Sequence, residues 1–152
     1  MPNGRMNCFA DTNLLVYAVD PTASEKRALA KDILDQITSR HTLVLSPQSL
    51  NECYRVVTEK RGLMPRNDAR LFVYALSEFC TAAYDFETIT IAWQIQDNHG
   101  FGWWDCMLLA SACLARCDLF LSEDMQHEQK VGNLVILNPF KPDPNLQFLR
   151  VK

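Results

Sequence analysis

The chain has 152 residues, 48% of them hydrophobic, which is enough to bury a full core, and no Gly/Ser/Pro-rich stretch divides it, so one domain is expected over residues 1–152. A formal net charge of −3 argues against a protein that holds nucleic acid by bulk electrostatics, although local basic patches stay open. The polar start before residue 6 lacks the regions of a secretory signal and nothing approaches a membrane span, while Cys8, Cys53, Cys80, Cys106, Cys113 and Cys117 form no CxxC pair and read as reduced, packed thiols of a cytosolic protein.

The first apolar stretch, 6–10, has strand length, and Asp11, Thr12 and Asn13 then lead into an apolar piece stopped by Asp20 and Pro21. Ser24 is placed to cap a helix over 24–39, because Leu29, Ile33, Leu34 and Ile37 share one face. A second strand is predicted over 42–45. Ser46 followed by Pro47 reads as an N-cap with proline at the first helical position, opening a helix striped by Leu50, Cys53, Tyr54 and Val57 and ended by Gly62. A further helix is predicted over 67–80, a short strand over 82–84 and a helix over 88–98, before a turn at Gly100 and Gly102.

From 104 to 116 only Asp105 and Arg116 are charged in an otherwise nearly all-apolar run, the pattern of a helix buried against a sheet. Strands are predicted over 119–121 and 134–137, separated by a polar loop or short helix. Strands alternating with helices imply parallel pairing and right-handed crossovers, and the Pro-rich tail over 141–152 reads as an irregular strap.

Four acids fall where parallel strands end and helices begin: Asp11, Glu52, Asp105 and Asp124. In open α/β sheets ligands bind beyond the carboxyl ends of the strands, so acids distant in sequence can converge there. Each also has a plain explanation. Asp11 and Asp124 can be N-caps, Asp105 can serve its helix dipole, and Glu52 lies roughly 150° from the centre of its helix's apolar stripe at 100° per residue, as a solvated side chain would. The joint reading is favoured by Asp105, which sits among Phe101, Trp103, Trp104, Met107 and Leu108, where an ionised carboxylate is costly without a cation or hydrogen bonds. An oxygen-only ligand set selects Mg²⁺ or Mn²⁺ over zinc, and such ions suit phosphodiester hydrolysis by water. Thr12, Asn13 and Ser122 are placed either to hydrogen-bond those acids or to serve as turn residues.

The run Asp11-Thr12-Asn13 before an apolar helix, the Asn51-Glu52 pair, Trp104-Asp105 ahead of Leu108 to Ala112, and the closing Leu121-Ser122-Glu123-Asp124-Met125 resemble PIN-domain ribonucleases, above all the VapC-like toxins of type II toxin–antitoxin pairs. The resemblance spans residues 6–140. It implies a three-layer α/β/α sandwich with a mainly parallel five-stranded sheet and Mg²⁺-dependent endonucleolytic cleavage of RNA that leaves a 5′-phosphate and a 3′-hydroxyl. It also implies a homodimer and inhibition by a small antitoxin. Asp11, Glu52, Asp105 and Asp124 match the family's acidic quartet, with Thr12, Asn13 and Ser122 as supporting polar groups. Glu123, adjacent to Asp124, stays open as an alternative ligand. The chain departs from the pattern in a few extra residues before the first strand and in Ser122 where the family often has Thr.

Arg55, Lys60, Arg61, Arg66 and Arg70 form the densest basic segment, able to track an RNA backbone or simply to face solvent. Trp104, with Phe101 and Trp103, can stack an unpaired base or pack at the rim. His127, close to Asp124 in sequence, can touch substrate but reads better as an exposed loop histidine. There is no GxSxG and no phosphate-cradling GxxxxGK[ST] run. Two rivals remain: a PIN-like RNA-binding module without catalysis, and a receiver-like signalling domain, which would need a lysine closer behind residues 119–121 than Lys130.

Overall fold

The computed structural model describes residues 4–150; Met1 to Asn3 of the polar start and Val151 and Lys152 of the tail lie outside the described residues. Five strands form one sheet: β1 (Asn7–Ala10), β2 (Thr42–Val44), β3 (Leu119–Leu121), β4 (Lys130–Val131) and β5 (Leu134–Leu137), in the order β2-β1-β3-β5-β4. The β1–β2, β1–β3 and β3–β5 pairs are parallel, and β4 joins antiparallel as a hairpin partner of β5. After β1 the chain crosses to β2 on one side, and after β3 it passes to β5 on the other. The crevice between the ends of β1 and β3 is therefore the switch point of the sheet.

Strand alternation divides the core. Cys8 and Ala10 of β1, Leu43 of β2, Leu119 and Leu121 of β3 and Leu137 of β5 face one layer, while Phe9, Val44, Phe120, Leu134 and Ile136 face the other. Both sheet faces are apolar, as a parallel sheet covered on two sides requires. The first layer is filled by α1 (Thr12–Tyr17), α2 (Ser24–Arg40), α3 (Pro47–Arg55) and α4 (Arg66–Leu76), which contribute Leu14, Leu15, Ile33, Ile37, Cys53 and Ala69. The second holds α5 (Phe86–His99) and α6 (Trp103–Leu114), with Ala92, Ile95 and the run Cys106 to Ala110 buried. Phe9 and Phe120 stack across neighbouring strands with ring centroids 5.1 Å apart. The architecture is the expected α/β/α sandwich.

Local departures have identifiable causes. The strand expected over 82–84 does not form: Cys80 makes only an isolated parallel bridge to Leu45, and the Ala83 carbonyl is taken by the hydroxyls of Thr88 and Ser111. The fifth strand is instead β4, turned onto β5 at Gly132 with φ +60° and Asn133, a two-residue hairpin connection. Ser24 does not cap α2; the capping position is Ala23, without a side-chain bond. The helix expected over 67–80 gives way after Leu76 to a 3₁₀ turn, Ser77–Phe79. The tail is less irregular than its prolines suggested, since a 3₁₀ segment, Pro144–Leu149, buries Leu146 and Leu149 in the first layer.

Candidate active site

Asp11 follows β1 directly and caps α1. Its Oδ1 accepts from the Thr12 amide at 2.8 Å, and its Oδ2 accepts from the Ser122 hydroxyl at 2.8 Å, which ties the end of β1 to the end of β3. Asp124 reaches the same end on the turn after β3, where its amide donates to Ser122 Oγ at 3.2 Å and its carboxylate accepts from the Asn13 amide nitrogen. Glu52 lies in α3, whose start is fixed by Pro47 and by a reciprocal Ser46–Ser49 capping box. It does not project freely into solvent: Oε2 accepts from the Thr12 hydroxyl at 3.1 Å and Oε1 from the Gln48 amide at 2.8 Å. Asp105 stands in the first turn of α6, at the positive end of that helix.

All four acids line one cavity of about 700 Å³, together with Thr12, Asn13, Gln48, Arg55, Lys60, Tyr84 and Trp104. Each of the three polar residues expected to support the acids bonds a different one: Thr12 holds Glu52, Asn13 holds Asp124 and Ser122 holds Asp11. Glu123 is turned away, its two carboxylate oxygens taken by the Tyr17 hydroxyl at 2.7 Å and Lys26 Nζ at 2.6 Å. That contact leaves Asp124 as the cavity's acid on this turn.

The electrostatics of the cavity are unbalanced. Burial, with further pressure from the carboxylates of Asp105 and Glu52, pushes Asp11 up from 3.8 to about 6 despite its two hydrogen bonds. Burial and the charges of Glu52 and Asp124 likewise raise Asp105. Among the described residues no Lys, Arg or His makes an ion pair with any of the four. An oxygen-only set of four acids without ion-pair partners fits a hard divalent cation.

No three of the four acids bring carboxylate oxygens within 4.8 Å of one another. Among the described residues, the one trio of His, Cys, Asp or Glu that brings a ligand atom from each within 4.8 Å is His127, Glu128 and Asp143, outside the cavity. That trio is a fastening. His127 Nδ1 accepts from the Asn138 amide at 2.9 Å, so the ring proton sits on Nε2, 3.0 Å from Asp143 Oδ2. His127 is therefore not the exposed loop histidine expected from sequence; it ties the tail to the β3–β4 connection.

The basic and aromatic candidates separate. Arg55 and Lys60 line the cavity, whereas Arg61 points elsewhere, with its guanidinium 3.1 Å from Oδ2 of the fully buried Asp20. Lys60 owes its place to a π-helical turn, Val56–Lys60, that continues α3. At 100° per residue Lys60 would stand roughly 80° from Glu52, and the wider turn carries it back towards that face. Trp104 is 64% exposed on the cavity wall. Sequence reading missed Gln48 and Tyr84. The (i, i+4) spacing of Gln48 and Glu52 was a signal for the first, but Tyr84 joins them only through the fold.

The PIN domain family model matches residues 8–132. The chain belongs to the PIN domain family. Solved structures similar to this PIN domain include a chain of VapBC2 from Rickettsia felis bound to a DNA fragment from their promoter, at 13% identity over 86% of this chain and 97% of that one, with a TM-score of 0.63. Another is a chain of a toxin–antitoxin complex from Klebsiella pneumoniae, at 17% identity over 84% and 95% of the two chains, with a TM-score of 0.62. At these identities the likeness is one of fold. No curated protein matches the chain in sequence. Among the described residues, no helix of this PIN domain is long and apolar enough to cross a membrane.

Proposed function

We propose that this PIN domain is a metal-dependent endoribonuclease, the toxin of a type II toxin–antitoxin pair, acting in the cytoplasm as a homodimer held in check by a protein antitoxin. The observation that carries the reading is the convergence of Asp11, Glu52, Asp105 and Asp124, from four separate elements, on one cavity, with none of the four in an ion pair among the described residues. The family match supports a nuclease, and the toxin–antitoxin complexes among its structural relatives support the antitoxin.

Asp11, Glu52, Asp105 and Asp124 would hold Mg²⁺ or Mn²⁺. The chemistry such a cation supplies when bound is a lowered pKa for water and neutralisation of the charge that builds on the phosphate. Thr12, Asn13 and Ser122 orient the carboxylates by donating to them. Arg55 and Lys60 supply positive charge on the same cavity for the flanking phosphates, and the exposed face of Trp104 offers a stacking surface for an unpaired base.

The test is cleavage of single-stranded RNA by the purified protein in Mg²⁺ and in EDTA. Cleavage should depend on the metal and disappear in Asp11→Asn and Asp105→Asn, both retaining the wild-type circular dichroism spectrum. RNA that is bound but never cut would instead make the protein a binding module, and equal cleavage by the variants would remove the acids from the mechanism.

A further inference from the structure

Gln48 is buried on α3, one turn before Glu52, and its amide is fully committed. Its Nε2 donates to Glu52 Oε1 at 2.8 Å and to the main-chain carbonyl of Trp104 at 3.1 Å, while its Oε1 accepts from the Tyr84 hydroxyl at 2.6 Å. The partners fix the amide's orientation. A carboxylate and a carbonyl can only accept, so the NH₂ must face them, which leaves the oxygen for the tyrosine. One side chain thus joins α3, the start of α6 and the connector before α5.

Glu52 is consequently held at both oxygens by neutral donors, Gln48 on one and Thr12 on the other. Neutrality matters here: a lysine or arginine at position 48 would orient the carboxylate equally well but would also cancel the charge a cation needs. Each carboxylate oxygen accepts a single bond from these partners and keeps a free lone pair. An unrestrained glutamate would lose rotamer entropy on binding a ligand, a cost already met in the folded protein when Gln48 fixes it.

We propose that Gln48, locked by Tyr84, is the positioning residue that presents Glu52 to a divalent cation and couples the Trp104 wall of the cavity to it. This rests on the reading of the cavity as a metal site. The test is Mn²⁺ titration of the whole protein by calorimetry, for wild type, Gln48→Leu, Tyr84→Phe and the double variant, with thermal unfolding in EDTA run alongside. Gln48→Leu should weaken Mn²⁺ binding about 10- to 100-fold, as loss of a partner behind a metal ligand does. Tyr84→Phe should weaken it by roughly 3- to 10-fold, the scale of one hydrogen bond. In the Gln48→Leu background Tyr84→Phe should add nothing, because Tyr84 acts only through Gln48.

Wild-type Mn²⁺ affinity in Gln48→Leu, or an equal Tyr84→Phe effect in both backgrounds, overturns the proposal, and so does a loss confined to thermal stability in EDTA. If Gln48→Leu does not fold, Tyr84→Phe alone decides between weakened and unchanged affinity. Wild-type protein that takes up no Mn²⁺ overturns the cavity reading together with this one, whereas normal uptake by both wild type and Gln48→Leu removes only the positioning role.

Discussion

Replacing Asp11 with Asn removes a buried charge while keeping its shape, and in the metal-free protein this should stabilise the fold. Asp11 is only 9% exposed, and its folded pKa of about 6 stands above the ordinary 3.8. A tenfold change in proton affinity is worth about 1.4 kcal/mol, so carrying this carboxylate ionised costs the folded state about 3 kcal/mol at neutral pH. The sign follows from the direction of the shift. Well below pH 3.8 the group is neutral in both folded and unfolded chains and costs nothing; between 3.8 and about 6 the folded state binds the extra proton, and stability falls as pH rises; well above 6 the full cost is present. Asparagine can reproduce both local bonds, its oxygen accepting from the Thr12 amide and its NH₂ donating to Ser122 Oγ. In EDTA at pH 7.5, Asp11→Asn should therefore unfold in urea with up to about 3 kcal/mol more stability, or melt roughly 6 to 12 °C higher. The advantage should shrink towards pH 4. Mg²⁺ at about 1,000 times its Kd should reverse the order, since it adds about 4.1 kcal/mol to the protein that binds it. An Asp11→Asn variant less stable than wild type in EDTA, or an advantage independent of pH, would refute the electrostatic account of the cavity.

Other outcomes follow from the same geometry. Glu123→Gln should retain Mn²⁺ binding while Asp124→Asn weakens it at least tenfold in the same titration, because Glu123 is spent on Tyr17 and Lys26; equal losses would return Glu123 to the ligand set. Arg55→Ala and Lys60→Ala should each lower RNA affinity and flatten its salt dependence by about 0.7 in the log–log slope, measured by anisotropy. Arg61→Ala should leave that slope alone and lower the unfolding free energy, since its guanidinium faces buried Asp20 rather than the cavity. His127→Ala should free the tail, which hydrogen exchange at Leu146 and Leu149 would register as faster exchange with RNA cleavage unchanged.

The acids at strand ends were legible because their meaning is topological: once β1 and β3 are parallel neighbours, Asp11 and Asp124 must share an end of the sheet. Helix starts carrying Glu52 and Asp105 followed from Ser46-Pro47 and from the apolar run after Asp105. The sequence places Thr12, Asn13 and Ser122 within reach of those acids but leaves their more distant partners hidden. Gln48 looks like an ordinary polar residue near a helix start, and its burial depends on Tyr84 and Trp104 arriving from other elements. Arg61 and Lys60 are neighbours in one basic segment, yet a π turn and a buried aspartate send them to different places. The strand expected over 82–84 has only Tyr84 to favour it, and side chains of α5 and α6 capture the Ala83 carbonyl. The β4–β5 hairpin does leave a signal, Gly132-Asn133 between Val131 and Leu134, but a β4 of two residues is too short to stand out from a polar connection.

The claim on which the rest depends is that Asp11, Glu52, Asp105 and Asp124 surround a divalent cation. Anomalous diffraction from crystals soaked in Mn²⁺ locates such an ion directly. A peak inside the cavity, within coordination distance of carboxylate oxygens from Asp11 and at least two of the other three acids, is the predicted result. A cavity without a peak at saturating Mn²⁺, or a peak only at His127, Glu128 and Asp143, would contradict it.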